Sequence, residues 1–314
     1  MRLIMEKVII TGGTGAIGLH LTKLLVANFY EVIIFTRDPK AFPAQPHVRY
    51  VHWDPKKQVI DIRSIQEADY IINLAGANLN GSRWTKAYQQ EIISSRVESG
   101  QLLYQTLKQV PNQVKTVISA SATGWYGADD SFQKKPFEEG DPQGGDFLSW
   151  VCNLWEDSVK PIETLGKRLV VFRFGVVISK DQGLLKEINQ LLRFRLSPIL
   201  GSGKQMLSWI HMEDLARMLL FAIQNNALAG VYNACSSDPI PLGQFTKRIA
   251  KCKYGIGYIP FPVPAFLIKL LFGKKGQEMV LNGTWVSNKK ILQEKFPFKY
   301  PTLDNNCIDN LHIG

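Results

Sequence analysis

Apolar residues recur along the first three quarters of the chain in two alternating patterns. Short runs rich in β-branched residues predict strands, and the longer segments between them repeat apolar positions at helical spacing. The predicted strands lie at residues 6–11, 31–36, 47–53, 69–76, 114–122, 167–175 and 231–235. The predicted helices begin near residue 17 and then cover about 84–108, 147–165, 184–194 and 213–224. Most of these strands are apolar at nearly every position, which is typical of strands buried on both faces of a sheet.

This alternation predicts an α/β fold. Parallel neighbours need helical crossovers, so strands that alternate with helices favour a doubly wound parallel sheet. After residue 175 the alternation weakens, and from about residue 239 prolines, glycines and short helical runs predict a smaller, mostly helical C-terminal lobe. We therefore predict a sheet domain over 1–238 and a lobe over 239–314, with residues 176–204 contributing to the lobe.

Composition narrows the classes of protein. The chain has 314 residues, 45% hydrophobic and 20% charged, which excludes overall disorder and fits a folded core. Four scattered cysteines form no C-x-x-C pair, and the five histidines form no H-x-x-x-H motif, so we predict neither disulfides nor a metal site. The N-terminus lacks a signal-peptide pattern, and the longest apolar stretch, 261–273, is too short to span a bilayer. We expect this stretch to be a buried helix or a helix at a groove, and we expect a cytoplasmic protein without a membrane span.

The net charge of +10 is concentrated near the C-terminus. Residues 241–300 hold eleven Lys and Arg against Glu278 and Glu294, a difference of +9. An excess of this kind suits an anionic ligand, nucleic acid, a membrane surface or a solvated face. The basic residues are spread over several predicted elements without interleaved aromatic residues, which favours the solvated face, and we predict no nucleic-acid partner. The sequence does not indicate an oligomeric state.

The glycine run after the first strand carries the most information. Residues 11–18, TGGTGAIG, follow a predicted strand and open a predicted helix, as a dinucleotide-binding Rossmann fold requires. Without side chains, these glycines let a pyrophosphate approach the backbone N–H groups at the helix start. The alternative is a tight turn that only needs a positive φ angle. The cofactor-binding residues predicted here are Gly12, Thr14, Gly15, Ala16, Ile17 and Gly18.

The end of the second strand distinguishes the two nicotinamide cofactors. An acidic residue there would bind the ribose of NAD, whereas a basic one accommodates the 2′-phosphate of NADP. The chain has Thr36 and Arg37, and a guanidinium forms charge-assisted pairs with phosphate. We predict NADP rather than NAD, with an ordinary surface arginine as the alternative.

Two further strand ends face the same predicted crevice. Leu74, Ala75 and Gly76 follow the fourth strand and would let a cofactor lie close to the backbone. Ser121 lies at the end of the fifth strand and supplies a hydroxyl. Small residues at such positions also serve the packing of helices on a sheet, which is the alternative interpretation.

Several segments together resemble the extended short-chain dehydrogenase/reductase superfamily. They are TGGTGAIG, NLAGANLNGSRW, SASATGWYG, GDFLSWVCNLWE, RFGVVIS and GSGKQMLSWIHMEDLAR. WDP (53–55), SRVE (95–98) and FPFKYPTL (296–303) narrow the resemblance to the atypical NAD(P)-dependent epimerase/dehydratase-like branch with a small C-terminal module of unknown function, of the DUF1731 type. The resemblance spans nearly the whole chain and implies a Rossmann domain with a lobe that closes over a small-molecule substrate.

The same resemblance indicates an altered catalytic set. Extended members use a serine, a Tyr-x-x-x-Lys pair and often an asparagine, and Ser121 matches the serine. Counting from Glu156 places Leu148 at the tyrosine and Cys152 at the lysine, and Arg96 replaces the asparagine. Leucine has no proton to donate, so the usual tyrosine chemistry is not expected.

Other polar residues are weaker candidates. Tyr126 follows Ser121 closely and is the second proposed catalytic residue, although a packed or substrate-facing tyrosine is the alternative. His211 matches a family position where a structural histidine is expected. An acidic loop is expected to be solvated, or to form a lid over a substrate; it contains Asp129, Asp130, Glu138, Glu139 and Asp141.

Two functions remain open from the sequence. The first is an NADP(H)-binding epimerase/dehydratase-like oxidoreductase of unknown substrate that lacks the usual Tyr-x-x-x-Lys pair. The alternative is a non-catalytic dinucleotide-binding regulator or redox sensor; labels carried by some relatives suggest a link to cell division.

Overall fold

The computed structural model describes residues 5–129, 134–180 and 182–311. Its strands are β1 (Lys7–Thr11), β2 (Glu31–Thr36), β3 (Val48–His52), β4 (Tyr70–Asn73), β5 (Thr116–Ala122), β6 (Arg168–Phe174), β7 (Val176–Ile178), β8 (Leu196–Leu200), β9 (Met206–Leu207), β10 (Trp209–His211), β11 (Gly230–Ala234), β12 (Ile240–Pro241) and β13 (Ile259–Val263). Its α-helices are α1 (Ala16–Ala27), α2 (Ile62–Glu67), α3 (Lys86–Gln109), α4 (Phe147–Val159), α5 (Gly183–Leu192), α6 (Met212–Gln224), α7 (Leu242–Tyr254), α8 (Ala265–Gly276), α9 (Lys289–Gln293) and α10 (Asn305–Asn310).

The seven strands predicted from the sequence form one sheet. Their order is β11-β6-β5-β4-β1-β2-β3, and β1 pairs in parallel with both β2 and β4. The chain therefore winds outward from β1 through β2 and β3, and then outward on the other side from β4. A doubly wound parallel sheet of the Rossmann type is confirmed. The switch of direction at β1 places the glycine run beside the ends of β2 and β4.

One strand differs from its prediction. Residues 47–53 are expected to be buried on both faces, but β3 is the last strand of the sheet and several of its side chains are half-buried or exposed. An edge strand has a neighbour on one side only, so its apolar residues cover less of the core.

The described residues form two compact units. The first contains the described parts of Met1–Ser121, Val151–Phe172 and Leu215–Tyr232. Apolar side chains from its strands and helices form one buried cluster, with Ile9, Ile71, Leu103, Val117 and Val171 among its members. This cluster holds the sheet in place under the glycine run.

The second unit contains the described parts of Ala122–Trp150, Arg173–Asp214 and Asn233–Gly314. Three two-stranded sheets, β7 with β10, β9 with β12 and β8 with β13, lie in it. Its main apolar cluster includes Trp209, Phe245 and Tyr300. Helices dominate from Leu242 onward, as predicted for the C-terminal region, whereas the boundary at residues 238 and 239 stays a prediction.

The apolar stretch 261–273 is not one buried helix. It is divided between β13 and α8, because prolines at 260, 262 and 264 are incompatible with a helix interior and Pro264 instead precedes the first turn of α8. Within α8 only Ile268 and Gly276 are buried. The helix therefore exposes most of its apolar side chains.

Candidate functional site

Two glycines of the run are required by the fold itself. Gly12 has φ +67°, and a Cβ atom there would lie 2.8 Å from the carbonyl oxygen of Leu74. At Gly18 a Cβ atom would lie 2.4 Å from the Cα atom of Gly13. Any side chain at these positions would overlap backbone, so both glycines allow α1 to approach the sheet closely.

Gly15 differs from its two neighbours in the motif. It precedes α1 in an extended conformation, with φ −78° and ψ 172°, which any residue can adopt. A Cβ atom there would contact only the Gly12 carbonyl oxygen, at 3.3 Å. The backbone conformation therefore does not require glycine here, and a side chain would need only a small shift of the Gly12 carbonyl oxygen.

The start of α1 suits an anion. Its first turn contains Ala16, Ile17 and Gly18 and no acidic residue. The N–H groups of a first helical turn have no partner within the helix and carry the positive end of the helix dipole. The residues here fit the pyrophosphate of a dinucleotide.

The end of β2 presents an exposed arginine. Arg37 follows Thr36 directly, and its backbone carbonyl oxygen lies 3.0 Å from Nδ1 of His52. The adjacent Asp38 carboxylate accepts a hydrogen bond from the backbone N–H of Lys40 at 3.2 Å. The guanidinium of Arg37 is thus available to solvent at the position where a ribose phosphate is expected.

A buried polar network fixes the end of β4. Asn73 is fully buried, and its Oδ1 accepts hydrogen bonds from the hydroxyls of Thr11 and Ser99, each at 2.7 Å. The Thr11 hydroxyl in turn accepts the N–H of Ala75 at 3.2 Å. Buried polar groups are costly unless paired, so this network holds residues 74–76 in one conformation beside Gly12.

Arg96 packs directly beneath Gly76. A Cβ atom on Gly76 would lie 2.9 Å from Cζ of Arg96. The guanidinium donates to the carbonyl oxygens of Ile92 and Ala77 and lies 4.9 Å from the centre of the Trp155 ring. Burial lowers the pKa of Arg96. This cation supports the loop after β4 from below.

The hydroxyl of Ser121 is held by a carboxylate. Its Oγ donates a hydrogen bond to Oε1 of Glu156 at 2.6 Å, and Ser121 is buried at the end of β5. Glu156 is one of the residues that align the chain with the superfamily, and it lies on α4. The pair brings together a hydroxyl and a proton acceptor.

Tyr126 belongs to a polar cluster in the second unit. Its phenol donates to Oδ1 of Asn233 at 2.7 Å and accepts from Nη1 of Arg173 at 3.0 Å. The ring stacks on Phe137 with centroids 5.0 Å apart. Burial raises the pKa of Tyr126, so the phenol stays protonated at neutral pH.

The partners of Tyr126 were not among the sequence candidates. Arg173 lies within the apolar strand RLVVFRF, and Asn233 lies within the apolar strand GVYNA. A single polar residue inside a buried strand needs a partner, and that pattern is the signal that could have found both.

Leu148 and Cys152 are the two positions that the resemblance aligns with the catalytic tyrosine and lysine, and they supply neither a phenol nor an amine. The backbone N–H of Leu148 donates to Oε2 of Glu278 at 3.0 Å, and Cys152 is buried. Burial also raises the pKa of Glu278, whose carboxylate accepts a second hydrogen bond from the N–H of Phe147. This carboxylate therefore caps the start of α4.

His211 and the acidic loop have structural contacts. His211 accepts the N–H of Glu213 at Nδ1 and packs 4.1 Å from the Tyr300 ring. Asp129 is half-buried and accepts the N–H of Trp285 at 2.5 Å, so it is not a solvated loop residue, whereas Asp130 lies outside the described residues. Over the part of the chain that the structure describes, no three His, Cys, Asp or Glu side chains form a group able to hold a metal ion.

The chain matches known proteins over nearly its whole length. It is 34% identical to an epimerase family protein of Staphylococcus saprophyticus over 98% of this chain and 100% of the relative. An epimerase family protein of Bacillus subtilis is 33% identical, with 95% of each chain covered. The chain belongs to the epimerase family proteins.

Two family profiles match separate parts of the chain, and both families were predicted from the sequence resemblance. The NAD dependent epimerase/dehydratase family matches residues 8–145, and a domain of unknown function, DUF1731, matches residues 263–307. The glycine run, Ser121 and Tyr126 all lie within the first match. The second match begins at the last residue of β13 and includes α8. The family predicted from the sequence motifs is confirmed.

Solved structures confirm the fold. The human epimerase family protein SDR39U1, solved with NADPH, has a TM-score of 0.84 at 27% identity, with 98% of this chain and 99% of that chain covered. UDP-glucuronic acid 4-epimerase from Bacillus cereus has a TM-score of 0.76 at 18% identity, with 98% and 97% covered. Among the described residues of this epimerase family protein, the helices are all too short or too polar to cross a membrane.

Proposed function

We propose that this epimerase family protein binds NADP(H) and acts as an oxidoreductase of the epimerase/dehydratase type on a small-molecule substrate. Gly15 is the observation that carries the proposal. The fold excludes a side chain at Gly12 and Gly18, whereas at Gly15, beside the positive end of α1, a Cβ atom would meet only the Gly12 carbonyl oxygen, at 3.3 Å. A dinucleotide pyrophosphate is the ligand that explains that glycine. The human relative, solved with NADPH, supports the same cofactor.

The preference for NADP over NAD rests on Arg37. Its guanidinium is exposed at the end of β2. The neighbouring Asp38 carboxylate accepts a hydrogen bond from the backbone N–H of Lys40. A bidentate charge-assisted pair with a 2′-phosphate would stabilise NADPH relative to NADH. Several solved structures with the same fold contain NAD, so the fold alone does not select the cofactor. We propose that Arg37 selects NADP in this chain.

The bound cofactor would supply hydride transfer. We propose that Ser121 relays a proton between the reacting oxygen and Glu156. When a substrate hydroxyl is oxidised, its proton passes to Oγ of Ser121 while the Ser121 proton passes to Glu156, and both transfers reverse when a carbonyl is reduced. The hydrogen bond between them supports this role because it orients the hydroxyl and places a base next to it. Tyr126, the second hydroxyl proposed from the sequence, keeps its proton because its pKa is raised, and it donates that proton in a hydrogen bond to Asn233. These contacts support a packed tyrosine more than one that acts on a substrate.

The missing pair sets an expected rate. Leu148 cannot transfer a proton, and a thiol at Cys152 does not replace an ammonium group that holds a ribose. General acid–base assistance typically contributes about 10²–10⁴-fold. Turnover is therefore expected to be slow by comparison with epimerases that retain the tyrosine and lysine.

The test combines binding with turnover. NADPH and NADH are titrated by calorimetry, and the loaded protein is then screened with nucleotide sugars and carbonyl compounds while nicotinamide absorbance is followed. We expect NADPH to bind more tightly and at least one compound to be converted slowly. Binding of NADPH without conversion of any compound would favour a dinucleotide-binding sensor, and no binding of either cofactor would overturn the proposal.

A further inference from the structure

Helix α8 and strand β13 expose an apolar surface that the proposed reaction does not use. On α8 the side chains of Phe266, Leu270, Leu271 and Phe272 are more than half exposed, with Leu270 at 76%. Ile259 and Phe261 of β13 are also exposed. We call these six residues, together with Lys269, the α8–β13 surface. Exposed apolar residues grouped on consecutive elements of a folded protein mark an interaction site.

The sequence around this surface is strongly basic. Residues 239–277 contain seven Lys and Arg and no Asp or Glu; the seven are Lys247, Arg248, Lys251, Lys253, Lys269, Lys274 and Lys275. Two of them have carboxylates nearby, since Arg248 contacts Asp238 at 3.1 Å and Lys274 lies 3.6 Å from Glu278. Lys269 is exposed in the middle of the apolar residues of α8. On α8 itself, Lys269, Lys274 and Lys275 accompany the exposed apolar side chains, so the surface suits a ligand that is apolar in one part and negatively charged in another.

We propose that the α8–β13 surface binds the headgroup region of a membrane containing anionic lipids, as a peripheral contact that does not span the bilayer. Aromatic and leucine side chains insert among the acyl chains near the headgroups, and lysines attract the anionic lipid phosphates. α8 is helical from Ala265 to a kink at Gly273, and this segment carries the exposed Lys269 near its centre, which suits a short helix lying in the interface. A second copy of the chain is a poorer occupant, because two such surfaces would bring like charges together.

This inference is independent of the cofactor and of the reaction. The surface belongs wholly to the second unit, whereas the glycine run, Arg37 and Ser121 belong to the first. A failure of membrane binding would leave the proposed NADP(H) chemistry untouched.

The test uses the full-length protein and sedimentation with vesicles. One set of vesicles is pure phosphatidylcholine. The other contains about 30% phosphatidylglycerol, which gives the vesicles a negatively charged surface. We expect binding to the anionic vesicles at low salt, much weaker binding to the neutral ones, and release as salt rises. Absence of binding to anionic vesicles at low salt would overturn the proposal.

Variants separate the apolar and the charged contributions. Leu270→Ser combined with Leu271→Ser should weaken partition at least about tenfold, since both side chains are more than half exposed and would lose mainly membrane contacts. Lys269→Glu reverses one charge and should also weaken partition about tenfold or more on anionic vesicles, with little effect on neutral ones. Phe29→Ser and Lys56→Gln, which alter exposed residues of the first unit, are the matched controls.

Two results would overturn the assignment of the membrane contact to the α8–β13 surface. Unchanged vesicle binding in both α8 variants would place the membrane contact elsewhere and overturn the assignment. A dimer in light scattering that dissociates on Leu270→Ser and Leu271→Ser, without vesicle binding by the wild type, would identify the surface as a contact between copies. Unchanged circular dichroism spectra and thermal melts of the variants would show that they are folded.

Discussion

Ser121 and Glu156 share a hydrogen bond of 2.6 Å between the end of β5 and helix α4. The two residues lie 35 positions apart, and the sheet and α4 hold them in one unit. The sequence resemblance predicts that Leu148 and Cys152 stand where the superfamily has a tyrosine and a lysine. The Ser121–Glu156 pair is therefore the hydroxyl and carboxylate on which we base the proposed proton transfer.

Ser121→Ala is expected to lower any turnover found in the screen by about 10²-fold, because general acid–base assistance would be lost. Glu156→Gln keeps a hydrogen-bond acceptor but removes the carboxylate that takes part in the proposed proton transfer, so it should also lower kcat. The measurement is steady-state NADPH oxidation with each variant. Ser119→Ala is the control, since this buried serine on the same strand bonds instead to Asn73 and the carbonyl of Ala120. Turnover that survives Ser121→Ala undiminished would locate the active hydroxyl elsewhere.

Arg37→Asp should cost roughly tenfold or more in NADPH affinity and leave NADH affinity nearly unchanged or improved. A charge-assisted hydrogen bond contributes about 1.5–3 kcal/mol, and a carboxylate at this position repels the 2′-phosphate. Calorimetry with both cofactors measures the effect. Arg63→Asp, an exposed arginine on α2, is the matched control. Equal affinity of the wild type for NADPH and NADH would contradict the prediction.

Gly15→Val should abolish cofactor binding and leave a folded protein, whereas Gly18→Val should strongly destabilise the fold. At Gly15 a Cβ atom meets only one carbonyl oxygen at 3.3 Å, but its branched methyl groups would occupy the space where a pyrophosphate approaches. At Gly18 even a Cβ atom would overlap the Gly13 backbone, and we expect a loss of about 3 kcal/mol or more. Thermal melts and NADPH titration distinguish the two. Full NADPH affinity in Gly15→Val would mean that the glycine serves the turn alone.

Local pattern was sufficient for the sheet and the glycine run. The first strand, the glycine turn and the first helix are adjacent in sequence, so local pattern is enough to predict them. Gly12 and Gly15 lie between β1 and α1, and Gly18 lies in the first turn of α1, as the motif predicts. The prolines of β13 are a local signal too. The prediction of a buried helix or a helix at a groove over 261–273 gave more weight to apolar character, and it was wrong for residues 261–263, which belong to β13.

Contacts between distant residues were beyond the sequence patterns. Tyr126 meets Asn233 across 107 positions, and Asp129 meets Trp285 across 156. No periodicity encodes such pairs, so Asp129 could only be predicted as part of a solvated acidic loop. Its burial depends on how the chain of the second unit returns to residues 283–285. The same reason hid the Arg173 contact with Tyr126, although an arginine inside a buried strand already required a partner.

Asp129 should make the protein less stable as pH rises from about 4 to 6. Burial raises the pKa of its carboxyl from 3.8 to about 6, so the folded state binds the proton more tightly than the unfolded state. Stability from this group is present below pH 4 and is lost as pH rises through 6; the loss is at most about 3 kcal/mol. Asp129→Asn retains an oxygen to accept the N–H of Trp285 and cannot ionise, so its free energy of unfolding should lack this decline. Urea titrations of both proteins at pH 4.5, 5.5 and 6.5, intervals chosen to bracket a pKa of about 6, measure the difference. Asp157→Asn, on an exposed carboxylate of α4, controls for the loss of one charge, and parallel pH dependence in wild type and Asp129→Asn would contradict the assignment.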